Sequence, residues 1–324
     1  MTDLSAEYLG LKLRTPVIAS SSPLTATPDK IAELADHGIG GVVLKSIFEE
    51  QIAGETAMLS RYHDHPDADD YLHAYIGSDY MRGFIELISE SKKRTGLPII
   101  ASINCAEKGK WIEYARKIAD AGADALELNI FFLPSGAGQT SSEIEARYFD
   151  IVGTVVKSIG IPVSVKLSMR FTNIIHIAQE IYNRGAKGAV LYNRFFEPDI
   201  DIENMEYVPA DGLSARSELY KSLRYIAIAS AAVPGLDLSA STGVHTGEDA
   251  IKAILAGARS VQLCSTIMIH GMKVIGEISG FIENWMQRNS FSRIDDFRGL
   301  MNRKVRVDPL LDRVQYMKMF PPEM

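Results

Sequence analysis

The segment ADAGADALEL, residues 119–128, has three relatives elsewhere in the chain: ADHGIGGVVL at 35–44, YNRGAKGAVL at 182–191 and LAGARSVQL at 255–263. Each reads as the end of a helix, a glycine, a small linker and an apolar strand. Gly38, Gly122, Gly185 and Gly257 fall where a helix end favours a left-handed residue, a conformation that glycine adopts without a Cβ clash. Four copies of one helix-to-strand hinge imply parallel strands joined by helices.

Working outward, the pattern extends to eight strands, near 16–20, 41–45, 98–103, 124–129, 162–167, 187–192, 236–240 and 259–264. Helical periodicity follows each, near 28–37, 79–94, 108–121, 142–159, 173–184, 214–232, 247–256 and 271–287. Pro16, Pro98 and Pro162 precede or open strands, a position proline tolerates. Eight such units in about 250 residues match a (β/α)8 TIM barrel. The alternative, an open doubly wound sheet, lacks its GxGxxG fingerprint after the first strand. The expected organisation is one domain over 1–302 with a short N-terminal lead-in, followed by a tail at 303–324. Within the domain, 46–78 is a long insertion after the second strand, and 134–141 and 193–213 are long loops of the kind that bind or cover ligands. The tail, with its basic RKVRV and closing FPPEM, either wraps the barrel or serves a dimer contact.

Composition narrows the function. Of the 324 residues, 46% are hydrophobic and 23% charged, as in a globular protein, and the net charge of -7 argues against a nucleic-acid binder. No apolar run approaches the ~20 residues that span a bilayer. The N-terminus lacks the basic and apolar regions of a signal peptide, so a cytoplasmic setting is expected. Cys105 and Cys264 are too few for a four-thiolate zinc site or an iron–sulfur cluster.

In this fold the active site lies at the C-terminal ends of the strands. Those ends carry Ser20 and Ser21, Lys45 and Ser46, Ser102 and Asn104, Asn129, Lys166 and Ser168, Asn193, Ser241 to Gly243, and Cys264 with Ser265. Two lysines converge with amides and hydroxyls, and no Asp, Glu or His stands at an extreme strand end. A divalent metal would need such ligands, so the set suits a large anionic, hydrogen-bonding ligand and no metal. The loops after strands seven and eight often form a phosphate site from backbone N–H groups. SASTGVHTGEDA and VQLCST have the small residues and the helix start for it. Alternatively, Gly243, Gly247 and Thr246 form only a helix-start turn, and Lys45 and Lys166 snorkel to solvent. His63, His65 and His73 share one stretch, where solvated loop histidines are the reading preferred to a metal site.

At VVLKS, LELNI, VSVKLS, VLYN and STGVHTGEDA…AGARSVQLCST the chain resembles the dihydroorotate dehydrogenase family, which includes the C-terminal flavin domain of dihydropyrimidine dehydrogenase. The resemblance runs in order over roughly residues 5–300. It implies an FMN barrel, a homodimer, and hydride transfer between a pyrimidine-like ring and flavin N5. Ser20 and Ser21 would lie beside the flavin ring, with Ser46 and Ser102 on neighbouring strand ends. Lys45 would reach the flavin and the substrate edge, and Asn129 would bond to either. Lys166 would face the N1–O2 side, and Asn193 would hold the flavin–substrate junction. Thr242, Gly243, Cys264 and Ser265 would cradle the phosphate. Cys264 is then a small loop residue rather than a nucleophile, and Cys105 a buried small hydrophobe.

The resemblance breaks at the base. The family places a Cys or Ser three residues after the strand-end Asn, whereas here Phe132 follows Asn129 at that spacing, or Leu133 if the proline is matched instead. The substrate loop reads YLHAYIGSDYMRGF without the family's Asn or Pro, and ASTGV has one glycine fewer. Either Phe131–Leu133 belong to the core, or they line a pocket for a different substrate. Ser135, Thr140, His73, Tyr75 and Tyr192 are the alternative bases. Three functions stay open: an FMN-dependent dehydrogenase acting on CH–CH donors, a flavin-binding barrel without catalysis, and a phosphate-binding barrel using Lys45 or Lys166 as a Schiff-base amine.

Overall fold

The computed structural model describes residues 2–49, 66–105, 108–195 and 197–302; the side chains of 66–78 and of Lys108 lie outside that description. The tail 303–324, His63, His65 and the side chains of His73 and Tyr75 are therefore outside the described residues. The strands are β1 (Ala6–Tyr8), β2 (Leu11–Leu13), β3 (Val17–Ala19), β4 (Gly41–Val43), β5 (Ile47–Phe48), β6 (Ile99–Asn104), β7 (Ala125–Asn129), β8 (Val163–Leu167), β9 (Gly188–Leu191), β10 (Pro198–Asp201), β11 (Glu206–Pro209), β12 (Asp237–Ser241) and β13 (Ser260–Leu263). The helices are α1 (Pro28–Asp36), α2 (Pro66–Thr95), α3 (Lys108–Asp120), α4 (Ser141–Ser158), α5 (Ile174–Asn183), α6 (Leu219–Ala232), α7 (Gly247–Ala256), α8 (Ser265–His270), α9 (Val274–Arg288) and α10 (Ile294–Phe297).

Eight strands close a parallel barrel in the order β3, β4, β6, β7, β8, β9, β12, β13 and back to β3. This is the (β/α)8 barrel expected from the repeated hinge. The four hinge glycines take φ of +90° at Gly38, +87° at Gly122, +92° at Gly185 and +121° at Gly257. Each sits in the left-handed region that ends a helix and releases the chain toward the next strand.

Strand alternation sorts the core into two layers. Val17, Ala19, Val42, Ile99, Leu126, Leu128, Val163, Val165 and Leu167 face outward and join the main cluster under the helices. Ile18, Val43, Ile100 and Ala125 face inward and form a separate cluster with Tyr8, Leu9 and Leu13. The lead-in is thus a β-hairpin of β1 and β2 that stoppers the bottom of the barrel. Its two-residue turn puts Leu9 at φ 58° and Gly10 at φ 76°, and the Leu9 N–H donates to Asp237 Oδ2 at 2.8 Å. Asp237 is also paired with Arg259. Gly188 is where the stopper meets the wall, since a Cβ there would lie 2.5 Å from Leu9 Cδ2.

Three features depart from the sequence reading. The helix expected at 79–94 begins at Pro66, so residues 66–78 of the expected insertion loop are helical. The lead-in was not foreseen as a hairpin, because a leucine at positive φ carries no turn signature of the usual Asn-Gly kind. The 193–213 loop contains the antiparallel pair β10–β11. Ile200 pairs with Tyr207 and Pro198 with Pro209, while Asp199, Asp201, Glu206 and Val208 occupy the other face. Ile200 and Tyr207 are exposed, as are Ile202 and Met205 at the turn. No helix among the described residues is long and apolar enough to cross a membrane.

Candidate active site

A cavity of about 370 Å³ opens at the C-terminal ends of the barrel strands. Ser20 and Ser21 line it from the end of β3, Lys166 from β8 and Asn193 from beyond β9. Thr242 and Gly243 follow β12, and Cys264 and Ser265 follow β13. The strand-end sites of the first, fifth, sixth, seventh and eighth units therefore converge.

The cavity floor is a buried polar cluster. Lys166 Nζ donates to Ser20 Oγ at 3.0 Å and to Gln262 Oε1 at 3.4 Å. Ser20 Oγ also reaches Gln262 Oε1 at 3.1 Å. Beneath them Gln262 Nε2 donates to Glu127 Oε2 at 2.8 Å, and Glu127 Oε1 lies 3.9 Å from Lys166 Nζ. Lys166 does not snorkel to solvent; it is 6% exposed and Glu127 0%. A buried ammonium so placed needs its acceptors and its counter-charge.

The remaining expected residues are held by neighbours. The Ser46 backbone N–H donates to Ser21 Oγ at 2.9 Å, and Ser46 Oγ lies 2.6 Å from Ser102 Oγ. That serine chain ties the first three strand ends together behind the cavity. Asn193 Nδ2 donates to Asn129 Oδ1 at 2.6 Å. Lys45 is exposed and turns away: with Ser46 it lines a second cleft of about 490 Å³ against Tyr80, Phe84 and Leu87 of α2.

The turn after β12 is set by backbone conformation. Thr242 and Gly243 take φ of +76° and +82°. A Cβ on Gly243 would lie 2.3 Å from the Leu219 backbone N, so only glycine fits. Thr242, a β-branched residue in the left-handed region, is held by its Oγ1 donating to Tyr192 O at 3.0 Å. Ser214 braces the turn: its Oγ accepts from Gly243 N at 3.3 Å, and its own N–H donates to Ser265 Oγ at 2.9 Å. The start of α7, by contrast, is already satisfied. Thr246 caps it, and Asp249 Oδ2 accepts from the N–H groups of His245 and Thr246 at 3.1 and 3.0 Å. Thr246 and Gly247 thus form a helix-start turn, while Thr242 and Gly243 face the cavity. Burial pushes the Cys264 thiol up, against the opposing effects of Lys166 and Ser22, so it is a poor nucleophile at neutral pH.

The opposite rim is aromatic. Phe131 stacks on Phe195 with centroids 3.9 Å apart. Phe132 packs edge-on against Tyr148 at 5.4 Å, and the Arg147 guanidinium lies over its other side at 3.7 Å. Both phenylalanines, with exposed Leu133, line a small cleft of about 190 Å³. Ser135 is exposed. Two base candidates are corrected. Thr140 is the N-cap of α4, in a capping box with Glu143, and stands outside the cavity. Tyr192 is buried against Tyr225 of α6 in a separate cleft with Met169, and burial raises its phenol well above the usual range.

The model of the family described as dihydroorotate dehydrogenase matches residues 3–286. The chain belongs to the dihydroorotate dehydrogenase family. It is 29% identical over 315 residues to the dihydroorotate dehydrogenase B (NAD(+)) catalytic subunit of Thermoplasma acidophilum, covering 94% of this chain and 100% of that protein. It is 27% identical over 331 residues to the chloroplastic dihydropyrimidine dehydrogenase (NADP(+)) of Arabidopsis thaliana, covering 92% and 76%. It is also 27% identical over 338 residues to the NAD-dependent dihydropyrimidine dehydrogenase subunit PreA of Escherichia coli K12, covering 96% and 80%. As a member of this family, the protein is an oxidoreductase acting on CH–CH donors.

Two residues of the cavity floor are not strand-end residues. Glu127 stands two positions before the strand-end Asn129, and Gln262 two before Cys264. Alternation places Glu127 on the same inward face as Ala125 and Asn129, a signal present in ALELN one step below the strand end. Ser214 carried no such signal, because it reaches the turn from a long loop.

Proposed function

We propose that this dehydrogenase binds FMN in the 370 Å³ cavity and oxidises or reduces a C–C bond of a pyrimidine-like ring. The observation that carries the reading is the buried Lys166 ammonium at the floor of a polar cavity in a family of dehydrogenases. The residues fit such a group. The volume lies in the range of ligand pockets, about 300–1,000 Å³. Lys166 and Arg194 both line it, and the Ser265 hydroxyl, which accepts from the Ser214 N–H and can still donate its own proton, borders its far end beside the turn at Thr242 and Gly243. When bound, FMN supplies a hydride acceptor, a chemistry no side chain of this chain provides.

The chain's own part is to bind and orient. Lys166 would hold positive charge beside the bound group, where it favours the more electron-rich reduced form, and Ser20 and Gln262 keep that ammonium from swinging out. The Asn129–Asn193 pair offers amide groups to the ring pair at its junction. The Ser265 hydroxyl would donate to the phosphate, with the tight turn at 242–243 shaping the space beside it. The relatives' names mention dihydroorotate and dihydropyrimidine, and both fit a flat ring with hydrogen-bonding edges. We assign cytoplasmic localisation and a homodimer to the same reading. The uncovered apolar face of β10–β11 supports self-association, because its carboxylates lie on the opposite face and so stay out of the contact.

A second reading is a flavin barrel without turnover of these rings, favoured by Phe132 sitting in an aromatic cluster where the family carries a proton acceptor. One experiment separates the two. Purified protein loaded with FMN absorbs at about 450 nm, as oxidised flavins do. Anaerobic addition of dihydroorotate or a dihydropyrimidine bleaches that band under the first reading and leaves it under the second. A protein that takes up no FMN refutes both.

A further inference from the structure

Glu127 is the most deeply buried carboxylate at the site, and it touches no part of the cavity surface. Ser102 and Ser164 flank it at the same height on the neighbouring strands, both fully buried and uncharged. Tyr8 of the stopper lies below, where burial first and the Glu127 charge second push its phenol well above the ordinary range. Among the described residues, the cation within ion-pair reach is Lys166, at 3.9 Å. Of the two carboxylate oxygens, Oε2 accepts from Gln262, and Oε1 has no hydrogen-bond partner among the described residues. Gln262 then turns its own carbonyl oxygen up to Lys166 and Ser20. The order upward is carboxylate, amide, ammonium, cavity.

A carboxylate in that position has no packing rationale, since apolar side chains fill the layer below it without charge. Its charge draws the Lys166 ammonium toward the floor, as opposite charges at this separation attract. It also offsets part of the positive field that Lys166 sends into the cavity. We infer that Glu127 is a positioning residue: through Gln262 it holds Lys166 in place, and by its charge it sets how strongly that lysine favours an electron-rich ligand above it. This rests on the FMN reading for its redox consequence, but not for the Glu127–Lys166 coupling itself.

The test uses the full-length protein, Glu127→Gln and Glu127→Asp. The redox arm measures the midpoint potential of bound FMN by equilibration with reference dyes. Glu127→Gln removes the negative charge without changing shape, so the lysine field is less compensated and reduced flavin is held more tightly. A tenfold gain in its hold on reduced over oxidised flavin is an upward shift of about 30 mV for a two-electron couple. The flavin-free arm follows acylation of Lys166 by mass spectrometry at fixed pH. Its rate rises in Glu127→Gln, because the ion pair no longer draws Lys166 down to the floor and its amine reaches the cavity more often. Glu127→Asp keeps the charge but withdraws it by one methylene, gives smaller changes of the same sign, and carries the test if the glutamine variant does not fold. A merely structural role moves thermal stability and leaves both the potential and the acylation rate at wild-type values, which overturns the inference. If the wild type takes up no FMN, the cofactor reading fails and the acylation arm alone decides this one.

Discussion

The two rims of the barrel mouth are built on different principles. On the side of β12 and β13, conformation does the work: Thr242 and Gly243 hold positive φ, Gly243 leaves no space for a Cβ, and Ser214 braces the turn. On the side of β7, ring contacts do the work: Phe131 on Phe195, and Phe132 between Tyr148 and Arg147. Backbone geometry admits few substitutions, whereas a packed aromatic rim can be rebuilt with other side chains. Under the proposed FMN reading this is a division of labour: the first rim would anchor the cofactor and the second would decide what approaches it.

Four experiments break or sharpen that contrast. The largest effect belongs to the shared floor. Lys166→Met strands the Glu127 carboxylate and destabilises the protein by about 3–5 kcal/mol, the range for breaking a buried pair. Adding Glu127→Gln to it returns much of that loss in chemical denaturation, and a double variant no more stable than Lys166→Met would dissolve the pair. Next comes the anchoring rim, where Gly243→Ala combines a positive φ with overpacking and costs about 2–4 kcal/mol. FMN titration of that variant, followed by flavin fluorescence, is expected to show at least a tenfold weaker affinity. On the aromatic rim Phe132→Ala costs about 1–2 kcal/mol through the lost ring and guanidinium contacts. It leaves FMN affinity within a factor of about two, by the additivity of separated sites. If instead it abolishes FMN binding, the division of labour is wrong.

The smallest effect is a pH dependence. The Cys264 thiol is raised by burial, so its thiolate forms only above the ordinary thiol range. Iodoacetamide labelling of Cys264, resolved by peptide mass, is therefore slow at neutral pH and climbs later with pH than labelling of the unfolded chain. The sign for stability follows. Protonated Cys264 contributes fully below the unfolded-state pKa, and that contribution is lost as pH rises through the folded one. A labelling profile that coincides with the unfolded chain would mean that burial does not govern this thiol.

The fold was legible because its signals are local and repeated: an apolar run, a glycine at the helix end, and the same again. The strand ends were legible for the same reason, since Lys166, Asn193, Thr242 and Cys264 each close a recognisable run. Glu127 was half-legible, for alternation gives its direction but not its partner, and Gln262 meets it across 135 positions of chain. Lys45 looked equivalent to Lys166 as a strand-end lysine, yet the structure turns it toward α2, a choice that no local pattern encodes. Thr242 shows how a missing glycine is accommodated: the left-handed conformation persists, held by a hydroxyl bonded to Tyr192 O. The aromatic rim depends on Phe195 meeting Phe131 from another loop, a contact between positions far apart in the chain that no local pattern encodes.

The hairpin that stoppers the barrel has a kinetic corollary. With Tyr8 and Leu9 filling one end, the route to Lys166 among the described residues is the mouth at the strand ends, so a bulky occupant of that mouth slows every reagent that reaches the lysine.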